Sequence, residues 1–503
     1  MQRPSHLSRR ATTLAAGLLL AACSDDGVRP PDPAAPEPEL PATAIEMLRC
    51  TASISPARLS CASPRASGGG LSALIVGRQG VYVFLASSNV SYDPAGDSLT
   101  ADVTVRNLLS QPMGTLDAVN PEPGGVRVFF HTGPTAPVTV VPDGTATFTA
   151  SNQPYYQYGP AQFGGCCLAP QATTTPRRWK FLMNGASSFT FLVLTSAALP
   201  NENGVLRWQS NYDPNAPVNY GLPVLDLFTE ISLTRGGMYV AGGTGVLGGG
   251  LAQYSYQALP NGPTDRVLRL AGVRDFTLRP IWGVAANGVF YRIDPSNSLI
   301  TPVFVGLGGM RDIQGPDTMN VWAVGDSGRV LRWNGQAWAK VAQPATANLR
   351  AVHAVTPGDV WAGGEGGSFF HWTGSGWTTV AAPDTGTVND IWAGAADSVW
   401  AVNVQQTGSG PVSSIFFYDG SAWSIQRSGI AGPLRSIHGA WAADYGPNNV
   451  YAAGGTRLLR FNGSVWYDEY LPLAPGDSLY SVHAINPSEA VAGGIGTVYI
   501  GTR

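Results

Sequence analysis

A repeat of about 40 residues in the second half of the chain is the feature that most constrains its fold. Each copy contains a short apolar strand such as Val321–Gly325, and the central positions of these strands fall at 239, 282, 322, 361, 400, 451 and 491. The steps between them are 43, 40, 39, 39, 51 and 40 residues. A period near 40 is typical of a β-propeller, in which four-stranded sheets surround a common axis.

A second landmark follows each apolar strand in four of the units. An aromatic residue, a glycine two positions on and a tryptophan three positions further recur at 333–338, 372–377, 418–423 and 461–466. Glycine readily adopts the positive φ that a tight hairpin needs. The pattern predicts a hairpin whose flanking aromatic rings pack between neighbouring blades.

The repeats number seven, and the last of them, 479–503, has room for only three strands. A closed propeller has to complete that sheet with a strand from elsewhere, since an open sheet would expose an unpaired edge. Val205–Trp208 is the predicted donor, because Gly204–Trp208 has a sequence similar to Gly328–Trp333. Seven blades are favoured, with six or eight left open.

The repeat units resemble the bacterial propellers of the photosystem II assembly factor (Ycf48-like) type. The resemblance rests on Trp322–Gly328, the Asn-Gly hairpin that follows and Trp338, and it covers about half the chain. It implies the propeller fold. The strict Asp-Gly-Gly-x-x-Trp pattern of that family is missing, so the resemblance implies no particular partner.

The region 45–210 has a different pattern, with short strands that alternate apolar and polar residues. Turn signals such as Pro142–Gly144 separate these strands. The pattern predicts an antiparallel β-sandwich, which resembles immunoglobulin-like modules although it lacks their Cys…Trp…Cys signature. The predicted fold class is therefore all-β, a β-sandwich over 45–210 followed by a propeller over 211–503.

The amino terminus has the features of a secretory signal. Three arginines precede the apolar run 11–20, which is shorter than the roughly 20 residues of a membrane-spanning helix. Leu20–Cys23 then resembles the lipobox of bacterial lipoproteins. This implies removal of residues 1–22 and attachment of lipid, including palmitate, to Cys23. An ordinary secretory signal with a chance cysteine is the alternative.

Residues 23–44 are rich in proline and acids and contain no aromatic residue. This composition predicts an extended tether between a membrane and the first domain. Ser24 follows Cys23 where the inner-membrane retention rule of enterobacteria would have aspartate. By that rule we expect a lipid-anchored protein of the outer membrane or cell surface, with the periplasmic or external face left open.

Four further cysteines are candidates for disulfides, because a compartment outside the cytoplasm is oxidising. Cys50 and Cys61 flank a short segment, and we expect them to pair. Cys166 and Cys167 are adjacent and could pair with each other or with outside partners. Four cysteines allow three pairings. No histidine at ligand spacing lies near them, so no metal site is predicted.

Aligning the first strand of each unit gives the candidate binding site. One position reads Leu225, Arg274, Arg311, Arg350, Asn389, Arg435 and Tyr480. The next position reads Asp226, Asp275, Asp312, Ala351, Asp390, Ser436 and Ser481. The innermost strands of a propeller line its channel, so the arginines would form a partial ring at one mouth, suited to carboxylates, phosphates or an acidic loop.

The alternative, which we favour, is that these arginines pair with aspartates of adjacent blades and only stabilise the fold. Three histidines lie two residues beyond the aspartate position, at 353, 438 and 483. We expect them to pack between blades, because histidine is often buried with its polar atoms satisfied.

The composition and the motifs favour a binding protein. A formal net charge of −3 argues against nucleic acid as a partner. Gly-x-Ser-x-Gly, His-Glu-x-x-His and phosphate-binding loops are missing from the sequence, and no cofactor is predicted. We expect a non-catalytic, membrane-anchored lipoprotein whose propeller binds a protein or glycan at the cell envelope. The alternatives are a polysaccharide lyase or hydrolase with its site at the channel mouth, and a structural surface spacer.

Overall fold

Strands make up nearly all of the regular structure. The computed structural model describes residues 48–502, except 63–74, 77–78, 80–81, 149, 202–205, 211–227, 235–236, 243–244, 251–254, 259–266, 272–280, 286, 295–298, 304–308, 441–448, 474, 488 and 496–497. The predicted signal 1–22, Cys23, the tether 23–44 and Arg274 lie outside the described residues.

The first part of the described chain forms two antiparallel sheets. The larger sheet has the strand order β2-β1-β11-β6-β9-β8, with β3 also on β11, and the smaller one has the order β4-β5-β10-β7. The strands are β1 Leu48–Ile54, β2 Ala57–Ala62, β3 Ile75–Val76, β4 Val83–Asp93, β5 Ser98–Asn107, β6 Val126–Thr132, β7 Thr139–Val141, β8 Gly144–Ala146, β9 Gln153–Tyr158, β10 Arg177–Leu182 and β11 Ser188–Ala197. One short helix, α1, spans Pro160–Phe163.

The two sheets share one apolar core. Alternate residues of β5 are buried because successive side chains of a strand point to opposite faces. At the centre, the Trp179 ring stacks on Tyr156 with centroids 4.8 Å apart, and its Nε1 donates to the Tyr158 hydroxyl at 3.1 Å. The predicted antiparallel β-sandwich is confirmed, whereas its likeness to immunoglobulin modules stays a prediction.

Both pairs of cysteines in the described chain are disulfide-bonded. Cys50 and Cys61 lie directly opposite each other on β1 and β2 and are bonded. Cys166 and Cys167 are bonded to each other in the loop after α1. Of the two possibilities considered for the adjacent cysteines, the structure has the vicinal ring.

The second part forms four-stranded antiparallel sheets, seven of them among the described residues. The closing sheet combines β12 Arg207–Ser210 with β37 Ser481–Asn486, β38 Glu489–Gly493 and β39 Val498–Thr502. The first two complete sheets are β13 Phe228–Thr234, β14 Gly237–Gly242, β15 Gly245–Gly250 and β16 Ser255–Ala258, then β17 Val267–Ala271, β18 Ile281–Ala285, β19 Phe290–Asp294 and β20 Leu299–Val303.

The next two sheets are β21 Met310–Asp317, β22 Asn320–Gly325, β23 Val330–Trp333 and β24 Trp338–Val341, then β25 Leu349–Thr356, β26 Asp359–Gly364, β27 Phe369–Trp372 and β28 Trp377–Val380. The last two are β29 Thr387–Ala395, β30 Ser398–Thr407, β31 Gly410–Tyr418 and β32 Trp423–Ala431, then β33 Ser436–Gly439, β34 Val450–Gly454, β35 Arg457–Phe461 and β36 Trp466–Asp468.

The first strands of these sheets are neighbours in the cyclic order β13, β17, β21, β25, β29, β33, β37 and back to β13. This ring confirms the predicted β-propeller. The ring is closed by β12, which pairs with β39 from Arg207↔Thr502 to Ser210↔Tyr499. The closing strand is thus the one predicted from Gly204–Trp208, and it lies inside the range 45–210 that the sequence assigns to the first domain.

Tryptophans fill the spaces between sheets, as predicted. The ring of Trp322 on β22 lies 5.4 Å from Trp372 and 5.9 Å from Trp377, both of the next sheet. Trp361 repeats this contact with Tyr418 and Trp423 one sheet further on. The hairpin glycines have the predicted positive φ, at 91, 97, 91 and 97° for Gly335, Gly374, Gly420 and Gly463.

Candidate functional site

A repeated β-bulge sets the direction of the side chains at the start of the innermost strands. In five sheets one residue is skipped in the pairing between first and second strand. A bulge of this kind re-aims a side chain and increases the local twist. The skipped residues are Thr229, Leu268, Arg311, Arg350 and Asn389.

This register corrects the predicted alignment in two units. The positions assigned to Arg274 and Asp275 are occupied by Leu268 and Arg269, because Arg269 pairs with Val284 as Asp312 pairs with Val324. In the first unit, Thr229 and Glu230 take the places assigned to residues 225 and 226. The error at Arg274 arises because residues 272–280 separate β17 from β18, whereas only 318–319 separate β21 from β22.

Arg311 forms a two-pronged ion pair at the mouth of the channel. Its Nε and Nη2 each lie 2.9 Å from a carboxylate oxygen of Asp326, which is on the 3₁₀ turn Asp326–Gly328 between β22 and β23. The side chains are 41% and 32% exposed. The hydrogen bonds raise the pKa of Arg311 and lower the pKa of Asp326.

Arg350 pairs with the equivalent acid of the next sheet, but through one nitrogen. Its Nη2 lies 2.5 Å from Glu365 Oε1, on the equivalent 3₁₀ turn Glu365–Gly367. Asn348 joins the two pairs, since its Nδ2 donates to Glu365 Oε2 at 2.9 Å and its Oδ1 accepts from the Ser327 amide at 2.9 Å. Two half-exposed arginine–carboxylate ion pairs, which we call the two forks, therefore lie at equivalent positions of adjacent sheets. The Arg311 pair has two contacts and the Arg350 pair has one.

The expected pairing of these arginines with aspartates of adjacent blades is wrong for both forks. Each arginine pairs with an acid of its own sheet, on the turn after the second strand, because the bulge directs its side chain along that sheet. Arg435 differs from both and packs over the ring of Tyr480 on the next sheet, 4.5 Å from its centroid. Of the four arginines predicted to form a ring, Arg311, Arg350 and Arg435 are among the residues that the structure describes.

The arginine that the sequence did not indicate, Arg269, crosses the channel. Its Nε lies 3.8 Å from Asp312 and its Nη1 lies 3.7 Å from Asp390. Its Nη2 also reaches the carbonyl oxygens of Asn389 at 3.4 Å and Arg435 at 3.5 Å. These groups belong to three other sheets, so one guanidinium joins its own sheet to sheets on the opposite side of the axis. A correct register for β17 would have shown a cation where other units have Glu, Asp, Ser or Ala.

Asp312 and Asp390 are buried and also bind backbone of the following sheets. Asp312 Oδ2 accepts from the Val352 amide at 2.7 Å, and Asp390 Oδ2 accepts from the Ile437 amide at 2.8 Å. An innermost strand has no strand on its axial side, so its inward amides need acceptors. Burial raises the pKa of both carboxyls, and the charge of Arg269 opposes that rise.

The predicted inter-blade packing of the histidines is observed for one pair. The rings of His438 and His483, on neighbouring sheets, are stacked with centroids 3.8 Å apart. His438 Nδ1 also accepts from the Ala484 amide at 3.2 Å. His353, at the same register position, is buried.

One hairpin extends the face on which the two forks lie. Asn403 of β30 occupies the register of Gly325 and Gly364, which are the last residues of the second strands in two other sheets. Here the pairing continues to Thr407↔Gly410. The longer hairpin accounts for part of the 51-residue step in the repeat, and it forms a ridge beside the channel mouth.

Within the described ranges, no group of three or more His, Cys, Asp or Glu residues is placed to hold a metal ion. No helix among the described residues is long and apolar enough to cross a membrane.

The fold and the site define a β-sandwich joined to a β-propeller with a charged channel mouth. No family model matches the chain, and no curated protein matches it. It is similar to solved structures over 59% of its length: YCF48 from Cyanidioschyzon merolae (15% identity, TM-score 0.45, 98% of that chain), YCF48 bound to D1 peptide (14%, 0.44, 95%) and U3-55K (12%, 0.48, 98%). The similarity is one of fold alone.

Proposed function

We propose that this chain is a non-catalytic binding protein whose propeller holds a protein partner at the mouth where Arg311, Arg350 and Arg435 lie. The observation that carries the proposal is the pair of half-exposed forks on adjacent sheets. Arginine binds carboxylates through two parallel N–H groups, so a partner's acidic side chains can share or replace Asp326 and Glu365.

Arg269 favours binding across the mouth over passage through the channel. Its guanidinium spans the axis between Asp312 and Asp390, so a ligand lies above it. The hairpin ridge of β30 and β31 adds a wall on the same face. Exposed ion pairs contribute only about 0–1 kcal/mol to stability, so these forks are better explained by recognition than by folding energy.

The location that we propose for this protein is the cell envelope. Supporting this are the basic and apolar amino terminus and the lipobox-like Leu20–Cys23. Cys23 would carry the lipid, and residues 23–44 would form the tether. The region 45–210, apart from the closing strand β12, would be an immunoglobulin-like spacer, and β12 with 211–503 would be the propeller. The anchor would hold the propeller at the outer membrane or cell surface.

The anchor is tested by labelling cells with radioactive palmitate and by mass spectrometry of the mature amino terminus. We expect label and a lipidated Cys23, both lost in Cys23→Ser. An unmodified chain cleaved at another position would contradict the anchor and leave the binding proposal standing.

The binding proposal is tested with the full-length chain carrying a photoreactive residue in place of Gln343. The Nε2 of Gln343 donates to the Ser327 carbonyl at 2.7 Å, on the turn that carries Asp326. In envelope fractions we expect a crosslinked protein that disappears in the variant Arg311→Ala/Arg350→Ala and at high salt. The matched control is Arg292→Ala, an exposed arginine on β19. The proposal is wrong if the crosslink persists in the double variant, if the crosslinked species is a glycan, or if the chain degrades a polysaccharide.

A further inference from the structure

A cleft of about 290 Å³ lies between the β-sandwich and the closing strand of the propeller. This is near the lower end of the volumes of roughly 300–1,000 Å³ typical of ligand sites, which often lie between domains. One wall is the run Leu206–Gln209, and the opposite wall is Leu108–Ser110 of the sandwich. Four further residues complete the lining: Tyr82, Gln171, Tyr470 and Pro472.

The cleft runs along an edge of β12. Side chains of a strand alternate between its two faces, so four consecutive residues can line one cleft only when the cleft follows the strand's edge. Among the described strands β12 pairs only with β39, and its other edge has no strand beside it. An unpaired edge presents N–H and C=O groups to an incoming strand.

One contact identifies the backbone groups on that edge. The Leu206 carbonyl accepts a hydrogen bond from Ser110 Oγ at 3.0 Å, across the cleft. Because backbone groups alternate between the two edges of a strand, the amide and carbonyl of Trp208 face the same way. Arg207 and Gln209 then direct their backbone groups to β39, and their side chains are exposed on one face of β12.

The two walls are held in place by buried hydrogen bonds. Glu469 is buried, and its Oε1 lies 2.6 Å from Ser110 Oγ and accepts from Trp208 Nε1 at 3.3 Å. The single proton of the Ser110 hydroxyl is shared between Glu469 and the Leu206 carbonyl. The Tyr470 amide also donates to the Ser110 carbonyl at 2.6 Å. The cleft is therefore formed before any ligand arrives, which lowers the entropic cost of binding.

The charge of the cleft selects among possible strands. Arg207 is the one charged residue among the described residues that line it, and it is exposed. A carboxylate on the incoming strand directly opposite Arg207 would form a favourable cross-strand pair. The apolar and aromatic surfaces of Leu108, Tyr470 and Pro472 would take neighbouring apolar side chains.

We propose that this cleft binds an extended peptide of a partner protein, with an acidic residue flanked by apolar ones, as an added strand on the free edge of β12. Strand addition of this kind takes its affinity from main-chain hydrogen bonds and its specificity from alternate side chains. A glycan matches this edge less well, because it lacks N–H and C=O groups at the spacing of about 6.6–6.8 Å that alternate residues of a strand have.

The test uses the full-length chain and the fluorescent peptide Thr-Val-Glu-Val-Thr, capped at both ends. Two derivatives of the peptide carry backbone N-methyl groups, one on residues 2 and 4 and the other on residues 1, 3 and 5. N-methylation removes a donor from one edge only, so we expect one derivative to bind like the parent and the other to lose binding. Equal binding by both derivatives, or loss by both, would overturn strand addition.

Arg207→Glu tests the selection by charge. We expect this substitution to lower the affinity for Thr-Val-Glu-Val-Thr by about tenfold, equivalent to about 1.4 kcal/mol, and to raise the affinity for Thr-Val-Lys-Val-Thr. Arg292→Glu is the control, and it should change neither affinity. An unchanged preference in Arg207→Glu, no binding of any peptide, or binding of uronic acid oligosaccharides in their place would overturn the proposal. Crosslinking at the propeller mouth is expected to be unaffected by Arg207→Glu, so the two sites can fail separately.

Discussion

Replacing Arg269 with methionine should destabilise the propeller through the two aspartates left behind. Asp312 and Asp390 lie 3.8 and 3.7 Å from the guanidinium and are buried. Removing one partner of a buried ion pair costs about 3–5 kcal/mol, because the remaining charge is uncompensated. A change of 1 kcal/mol shifts the melting temperature of a domain of this size by roughly 2–4 °C, so we expect a loss of roughly 10 °C.

The loss of stability in Arg269→Met should depend on pH, and the titration of the Asp312 and Asp390 carboxyls determines whether it grows or shrinks as the pH rises. Burial already raises the pKa of Asp312 to about 6 in the wild type, above the value of about 3.9 in an unfolded chain. The folded state therefore binds a proton more tightly, and stability falls as the pH rises between these values. Without Arg269 the folded pKa values are higher still, so the difference from wild type should be larger at about pH 7.5 than at about pH 5.

Differential scanning calorimetry of the full-length chain at the two pH values measures this difference. Arg269→Met/Asp312→Asn/Asp390→Asn should recover only part of the loss. The uncompensated charges are gone, but each asparagine has one acceptor oxygen and can accept only one of the two backbone hydrogen bonds that each aspartate accepts. Arg311→Met is the control, with an expected change within about 1 kcal/mol for an exposed pair. An equal loss at both pH values, or no recovery in the triple variant, would refute this account of Arg269.

Three further perturbations have outcomes that follow from single contacts. Trp208→Ala should lower the propeller's stability by about 3–5 kcal/mol in chemical denaturation, since it removes the large side chain of the closing strand. Glu469→Leu should separate sandwich and propeller into two calorimetric transitions, because it breaks the contacts to Ser110 and Trp208. Cys61→Ser should lower the free energy of unfolding of the sandwich by about 3 kcal/mol, the entropic contribution of a disulfide with this 11-residue separation, measured by its melting temperature. In this variant a reducing buffer has no Cys50–Cys61 bond left to break, so it should cause no further loss from that bond.

The architecture was predictable from the sequence because its signals are local and repeated. The Trp322-type strand, the glycine hairpin before Trp338 and the period near 40 each follow from packing that every sheet repeats. The closing strand was also predictable, since Gly204–Trp208 has the sequence of a strand that belongs in the same kind of sheet. Such signals need no knowledge of how distant parts of the chain meet.

The site was less predictable because it depends on bulges and loop lengths. A bulge leaves no composition signal, yet it turns Arg311 and Arg350 toward acids of their own sheets. The long connection between β17 and β18 hid the register of Arg269. The cleft beside β12 requires Ser110 and Glu469 to meet across 359 residues of sequence, a contact that no short-range pattern encodes.

The positions of the two channel aspartates have a common physical explanation. In three of the described sheets the inward amide is accepted by a side chain of the preceding sheet: the Val352 amide by Asp312, the Ile437 amide by Asp390 and the Val482 amide by Ser436, the last at 3.3 Å. Arg269 and Ala351 offer no acceptor at that position, so the amides of Ile313 and Ile391 need another one. Each finds it in the aspartate of its own strand, Asp312 at 2.8 Å and Asp390 at 3.0 Å. The aspartates thus stand where the preceding sheet cannot accept, and their second oxygens serve the sheet that follows. Arg269 compensates the negative charge of both aspartates, and its side chain crosses the axis to do so. The residues at this one position of the innermost strands therefore explain why the channel is closed.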